Sequence, residues 1–248
     1  MVRINKFLAS CKLGSRRKVE ELISQKLVYI NDELCTDFST YVNPETDIVK
    51  VGKKIIKYDN QKIFILINKP VHYIVSMKDE FNRKTIYSLL PDFAQNLHPI
   101  GRLDYDSEGL LILTNDGDIT HKILHPSYKV DKTYKVIVKG KIEIPHIQKL
   151  RNGVKIDNYT TQPAKVFLNH SSDDKSELRI IIKEGKNRQI RKMLESVGFE
   201  VVSLKRLQIG NIKLEKMPVG TWRFLKDSEI LYLLKQTHTK INHTQKDI

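Results

Sequence analysis

The chain has only two cysteines in 248 residues, Cys11 and Cys35. With no second pair and no histidine cluster at ligand spacing, neither a disulfide framework nor a metal site is indicated. Long apolar runs are missing as well. None approaches the ~20 residues that cross a bilayer, and the N-terminus lacks the apolar core of a signal peptide. These absences predict a cytoplasmic protein with no membrane partner. No phosphate-cradling Walker loop and no dinucleotide glycine fingerprint occur, so the motifs of the commonest nucleotide-cofactor enzymes are lacking. Acidic residues are scarce: 29 stand against 43 basic ones, a formal charge of +14. At this size such an excess points to a polyanionic partner, with nucleic acid the first candidate.

What is present begins with a small basic module. Residues 3–11 place Ile4, Phe7, Leu8 and Cys11 at helical spacing on one face, and Gly14 ends that helix. Ser15 offers an N-cap for a second helix to about Gln25, with Val19, Leu22 and Ile23 facing inward. Arg3, Lys6, Lys12, Arg16, Arg17 and Lys18 crowd the opposite face, where the second helix's N-terminus adds partial positive charge. Residues 28–30 and 33–35 then flank Asn31-Asp32 as a hairpin, and residues 47–52 alternate as a further strand.

The run RINKFLASCKLGSRRKVEELISQKLVYINDELCTD, with Ser15-Arg16-Arg17 at the helix junction, resembles an S4 domain, a small RNA-binding module. The resemblance covers residues 1 to about 58. It implies that structured RNA binds the basic face of the two helices. Shape and phosphate recognition of folded RNA suits a rigid basic surface without a groove-reading helix.

Polar, turn-forming residues 57–62 mark a boundary, giving domains 1–60 and 61–236 and a polar tail 237–248. In the second domain, residues 63–67, 110–113, 132–138, 154–156, 164–168, 178–182, 201–204 and 222–224 read as strands, and 170–175 as a polar loop. Helices are expected at 119–124 capped by Asp118, at 144–150, from the 184–188 segment to about Val197, and from Asp227. Strands outnumber helices without alternating strictly with them. The expected fold is therefore α+β: two helices and a few strands first, then a mixed, mainly antiparallel sheet with flanking helices.

One stretch organises this second domain: GRLDYDSEGLLILTNDG, residues 101–117. Its apolar core is a buried strand closed by the Asn115-Asp116-Gly117 turn, which puts Asp104 in a loop at the strand's entrance. A solvated loop acid fits the local pattern equally well. Together with NKP, HPSYKVDKTYKV, EGKNRQIRKMLESVG and LKRLQIG, however, the stretch resembles the rRNA pseudouridine synthases that carry an N-terminal S4 domain, more the large-subunit members than the small-subunit one.

That resemblance implies a set of roles. Asp104 is the catalytic aspartate, acting as nucleophile or base while the uridine N1–C1′ bond is cleaved and the base reattached through C5. Tyr134 stacks on the target uracil, and Arg191 pairs with Asp104. Lys69, Arg102, Lys186 and Arg188, with Lys205 or Arg206, are candidate RNA contacts in this domain, as are Arg3, Lys6, Arg16, Arg17 and Lys18 in the first. The target uridine is flipped out of its stack. Isomerisation within one nucleotide is redox-neutral, so neither cofactor nor metal is expected. The implied function is uridine isomerisation in large-subunit rRNA by a monomer acting on structured rRNA or a pre-ribosomal particle. The alternatives are a small-subunit rRNA target or a non-catalytic RNA-binding assembly factor.

Overall fold

Two compact units divide the chain, Met1–Lys62 and the remainder from Ile63. The computed structural model describes residues 1–11, 13–58, 61–77 and 79–244. In the first unit the helices span Ile4–Ser10 and Arg16–Ser24, and the Ser15 hydroxyl accepts from the Lys18 amide at 3.3 Å as the N-cap. Ile4, Phe7, Leu8, Val19 and Ile23 are buried against Val28 and Val49 of a four-stranded sheet and against Val42 of a separate two-stranded pairing. The hairpin Val28–Ile30/Glu33–Leu34 turns through Asn31 and Asp32, both at positive φ. Apolar spacing thus leaves Arg3, Arg16, Arg17 and Lys18 exposed and Lys6 half-buried. Lys12 lies outside the described residues.

The second unit is built on a nine-stranded sheet. Its main path runs Lys165–Ser171, Lys175–Ile182, Lys132–Lys139, Val201–Ile209, Glu108–Thr114, Phe64–Lys69 and Trp222–Phe224. Adjacent strands pair antiparallel except Val201–Ile209 with Glu108–Thr114, whose parallel contact sets Arg206 opposite Gly109. The sheet therefore has the expected mixed, mainly antiparallel character.

Alternation along these strands feeds two cores. Ile65, Ile67, Leu111, Leu113, Tyr134, Val136, Ile180 and Leu204 face one side, covered by Ile147 and Leu150 of the helix Ile144–Asn152 and by Ile190 and Met193 of the helix Gln189–Glu195. Phe64, Leu66, Leu110 and Ile112 face the other, against Ile119 and Ile123 of the helix Gly117–Leu124 and Leu233 of the helix Asp227–Thr244.

Several expectations shift. The cap of Gly117–Leu124 is Asp116, not Asp118, because the Asp116 carboxylate accepts from the amides of Asp118 and Ile119 at 3.0 and 3.1 Å. The first strand continues through Asn68 to Lys69; Pro70 ends it. His170 and Ser171 belong to a strand, their backbone held opposite Glu177 and Ser176, so the polar loop shrinks to a tight turn. The last helix reaches Thr244, well into the expected polar tail, because no glycine or proline interrupts residues 227–244. Residues 245–248 of that tail lie outside the described residues.

Gly109 carries the tightest approach in the sheet. Its φ is +110°, and a Cβ there would lie 2.3 Å from the Arg206 carbonyl oxygen and 2.7 Å from its amide nitrogen. Both obstacles are backbone of the neighbouring strand, which has no room to yield. Gly109→Ala is expected to lower unfolding free energy by about 3 kcal/mol or more, read by denaturant titration.

Candidate active site

The loop of residues 101–107 is pinned from behind by hydrogen-bond donors. Lys69 has no exposed surface. Its Nζ donates to the carbonyl oxygens of Pro70, Asp104 and Ser107 at 2.9, 3.0 and 2.7 Å. Burial pushes this ammonium down to about 8, with the nearby Asp104 and Asp106 carboxylates opposing the shift. The buried Arg206 donates through Nε to the Leu110 carbonyl at 2.7 Å and through Nη1 to that of Arg102 at 3.4 Å. The Tyr105 carbonyl accepts from the His72 amide at 2.7 Å, and the Asp106 carbonyl from Arg191 Nη2 at 2.9 Å. Five successive-loop carbonyls, at residues 102, 104, 105, 106 and 107, are thereby satisfied.

The two aspartates of the loop then diverge. Asp106 accepts from Arg188 Nη1 and Nη2, both at 3.1 Å, and faces Arg191 Nε at 3.2 Å. Burial alone would raise this carboxyl, but the Arg188 hydrogen bonds and the Arg191 charge outweigh it and hold it below the usual carboxylate range. Arg191 is held further by the Val201 carbonyl at 3.0 Å. Asp104 is different: among the described residues, no side chain or amide pairs with its carboxylate.

Asp104 opens onto two connected spaces. One is a narrow cavity of about 120 Å³, bordered also by Lys132, Tyr134, Lys186, Arg188 and Arg206. The other is a basin of about 410 Å³ between Arg102, Tyr105, Asn187, Ile74, Phe81 and Arg83. Tyr134 reaches the cavity because it belongs to the inward-facing set of its strand, and it is only 7 % exposed. The cavity's far wall is set by Gln189, which is buried, donates to Glu184 Oε1 at 2.5 Å and accepts from the Lys186 amide at 3.0 Å.

Of the expected catalytic residues the cavity brings together Asp104 and Tyr134, with Arg102, Lys186 and Arg188 of the expected RNA contacts beside them and Arg191 outside its lining. Three expectations are corrected. Lys69 cannot touch RNA, because every donor of its ammonium is spent on buried carbonyls and it has no exposed surface. Arg191 pairs with Asp106 rather than Asp104, because its guanidinium is drawn behind the loop by the Asp106 and Val201 carbonyls. Arg188, expected to meet phosphate, is the bidentate partner of Asp106. Arg102 and Lys186 are exposed at the rim, the Lys186 ammonium 3.2 Å above the Tyr159 ring. Lys205 pairs with Glu108 at 3.4 Å.

Three participants were not singled out from sequence: Lys132, Asp106 as an ion-pair hub, and Arg206 as a loop anchor. For Lys132 the signal was available, since it shares strand parity with Tyr134. Asp106→Asn strands the half-buried Arg191 charge. It is expected to cost about 1–2 kcal/mol in a denaturant titration, between the small worth of exposed pairs and the larger cost of orphaning a buried charge. Asp104→Asn, which breaks no pair, is expected to stay within about 0.5 kcal/mol of wild type.

The comparisons with known proteins bear on the same residues. The sequence pattern of the RNA pseudouridylate synthases matches residues 63–196, and that of the S4 domain matches residues 2–49. An RNA pseudouridine synthase of Aquifex aeolicus is 38 % identical over 240 residues, 96 % of each chain. Ribosomal large subunit pseudouridine synthase B of Bacillus subtilis is 37 % identical over 233 residues, 93 % of this chain and 94 % of that one. A crystal structure of a pseudouridylate synthase aligns with a TM-score of 0.67 at 30 % identity, over 94 % of this chain and 100 % of the other. With the family pattern covering more than half of the chain, the Asp104 loop and the Arg191 helix included, the chain belongs to the RNA pseudouridine synthases and carries an S4 domain ahead of its catalytic domain.

Proposed function

We propose that this enzyme isomerises a uridine of large-subunit ribosomal RNA, with Asp104 acting at the sugar and Tyr134 stacking on the uracil. The observation that carries the reading is the unpaired Asp104 carboxylate at the mouth of a cavity walled by Tyr134. A carboxylate that must attack C1′ or take a sugar proton has to be unobstructed, and of the two loop aspartates Asp104 is the one with no arginine hydrogen-bonded to it. The Arg188 and Arg191 charges act on Asp104 without a hydrogen bond to its carboxylate.

The cavity admits a flat ring, and the adjoining 410 Å³ basin takes the sugar and its flanking phosphates, with Arg102 and Lys186 at the rim. Such a nucleotide has left its stack, at a cost of about a few kcal/mol that stacking and phosphate contacts offset. The exposed Arg3, Arg16, Arg17 and Lys18 of the S4 domain hold the surrounding folded RNA. The Bacillus subtilis relative, named for the ribosomal large subunit, supports that choice of target. The protein acts as a monomer in the cytoplasm, on rRNA or an assembling ribosomal particle. No helix among the described residues is long and apolar enough to cross a membrane.

Pseudouridine formation exchanges the C5 hydrogen. Ribosomal RNA carrying tritium at uridine C5 is expected to release label to water with the wild type and to keep it with Asp104→Asn, while RNA affinity stays within about twofold. Retention of label by every rRNA offered to the wild type would leave an RNA-binding assembly factor as the reading instead.

A further inference from the structure

Among the cations that line the cavity with Tyr134, Lys132 and Arg206 sit on its strand and the next, and neither has a carboxylate hydrogen-bonded to it. Arg206 lies directly across from Tyr134 in the neighbouring strand and is 3 % exposed. Its Nε and Nη1 are spent on loop and strand carbonyls, while Nη2 is buried with no hydrogen-bond partner. Lys132 precedes Tyr134 by two residues, on the same side of the strand, opposite Ile182. Its Nζ makes two long contacts, 3.3 Å to the Val130 carbonyl and 3.4 Å to that of Lys183, which leaves one proton undirected. Both residues line the 120 Å³ cavity that Asp104 borders.

Like charges set side by side in a partly desolvated cavity repel unless something negative comes between them. The fixed carboxylates nearby, Asp131 and Glu184, only partly balance Lys132; Lys186 and Arg188 add further positive charge at the cavity. Beside these charges the lining offers an apolar wall that includes the Tyr134 ring with Ile182, Ile190 and Leu204. Flat apolar surface beside unspent donors suits a heterocycle with hydrogen-bond-accepting carbonyl oxygens better than a phosphodiester, which has no use for the apolar wall.

We propose that Lys132 and Arg206 are further catalytic residues, which hold the detached uracil as an anion between cleavage and reattachment. The proposal rests on the pseudouridine synthase reading given above. When the N1–C1′ bond breaks, its electron pair leaves with the base, and the negative charge spreads over N1 and the O2 and O4 carbonyls. The sugar's deficit is met within the same nucleotide and Asp104, by an ester bond at C1′ or by loss of the C2′ proton to the carboxylate. The free base turns and C5 bonds to C1′ as the ester breaks or the C2′ proton returns from the carboxylate; C5 then loses its proton and N1 gains one, so Asp104 is regenerated and the sum is isomerisation. Throughout the free-base interval, the Lys132 ammonium and Arg206 Nη2 donate to the uracil oxygens. Charge that develops only after bond breaking lowers the barrier without tightening ground-state binding.

The test uses full-length protein with rRNA carrying tritium at uridine C5, under single-turnover conditions. Lys132→Met is expected to slow label release by about 10²-fold while leaving the RNA Kd within about twofold, the scale of losing one donor to a developing anion. A residue that merely gripped phosphate would instead weaken RNA binding and flatten its salt dependence, with the bound-state rate unchanged. The pH profile gives an independent readout. Burial and the Arg206 charge push Lys132 down to about 8, so its cation is complete below that pH and lost as pH rises through it. The wild-type rate is expected to fall on the alkaline side. Lys132→Arg, slower at neutral pH but always charged, is expected to lose most of that fall. Melting temperatures over the same range separate any loss caused by Lys69 discharging inside the fold. Wild-type rates for Lys132→Met, or an affinity loss that accounts for its whole defect, overturn the proposal. So does an alkaline limb unchanged in Lys132→Arg at constant melting temperature. A wild type that releases no label at all refutes the parent reading, a result distinct from these.

Discussion

A lysine ammonium sealed inside the protein is the interaction on which the site depends. Lys69 emerges at the end of its strand with no solvent contact and spends its three protons on the carbonyls of Pro70, Asp104 and Ser107. Three charge-assisted hydrogen bonds at roughly 1.5–3 kcal/mol each offset a burial penalty of several kcal/mol, so the arrangement holds only while all three acceptors stay in place. The constraint acts in both directions: the loop anchors the charge, and the charge fixes the loop. A catalytic group on a flexible loop would have to be ordered at every turnover. Here the ordering is completed during folding, and the Asp104 side chain projects from a backbone already fixed.

With the backbone fixed, the two aspartates divide the work between them. Asp106 is committed to structure, gathering Arg188 and Arg191 and tying the loop to the helix Gln189–Glu195. Asp104 is left without a partner, so its negative charge is available to a substrate. The two arginines serve both, since their cationic field reaches Asp104 while their hydrogen bonds go to its neighbour. An arginine forked directly onto Asp104 would hold the carboxylate ionised but would also obstruct it.

Much of this was legible in the sequence, for local reasons. Helical spacing in residues 3–11 and the Ser15 cap specify elements whose neighbours are close in the chain. Alternation in residues 132–138 puts Tyr134 inside without any knowledge of its partners. What sequence could not supply is which of two like residues, two positions apart, receives a distant partner. Asp104 and Asp106 are the same chemistry, and the 85 residues to Arg191 are bridged only by the folded sheet. Lys69 reads as an exposed RNA contact in the sequence for a related reason. A lysine after an apolar strand is almost always a solvated end, and only the loop that folds over it makes it interior.

The sheet register explains why these residues coincide. One row across four strands reads Lys69, Gly109, Arg206, Tyr134. The first and third members hold the Asp104 loop from behind, and the fourth forms the wall of the cavity in front of it. The second has no side chain because the Arg206 backbone occupies the space a Cβ would need. That close approach occurs at the one parallel pairing on the sheet's main path, where the two halves of the catalytic unit meet. A one-residue slip at this junction would turn Arg206 to the opposite core and leave the Arg102 carbonyl without its donor. The glycine is therefore as much a determinant of the site as the charged residues around it, although it contributes no atom to the chemistry.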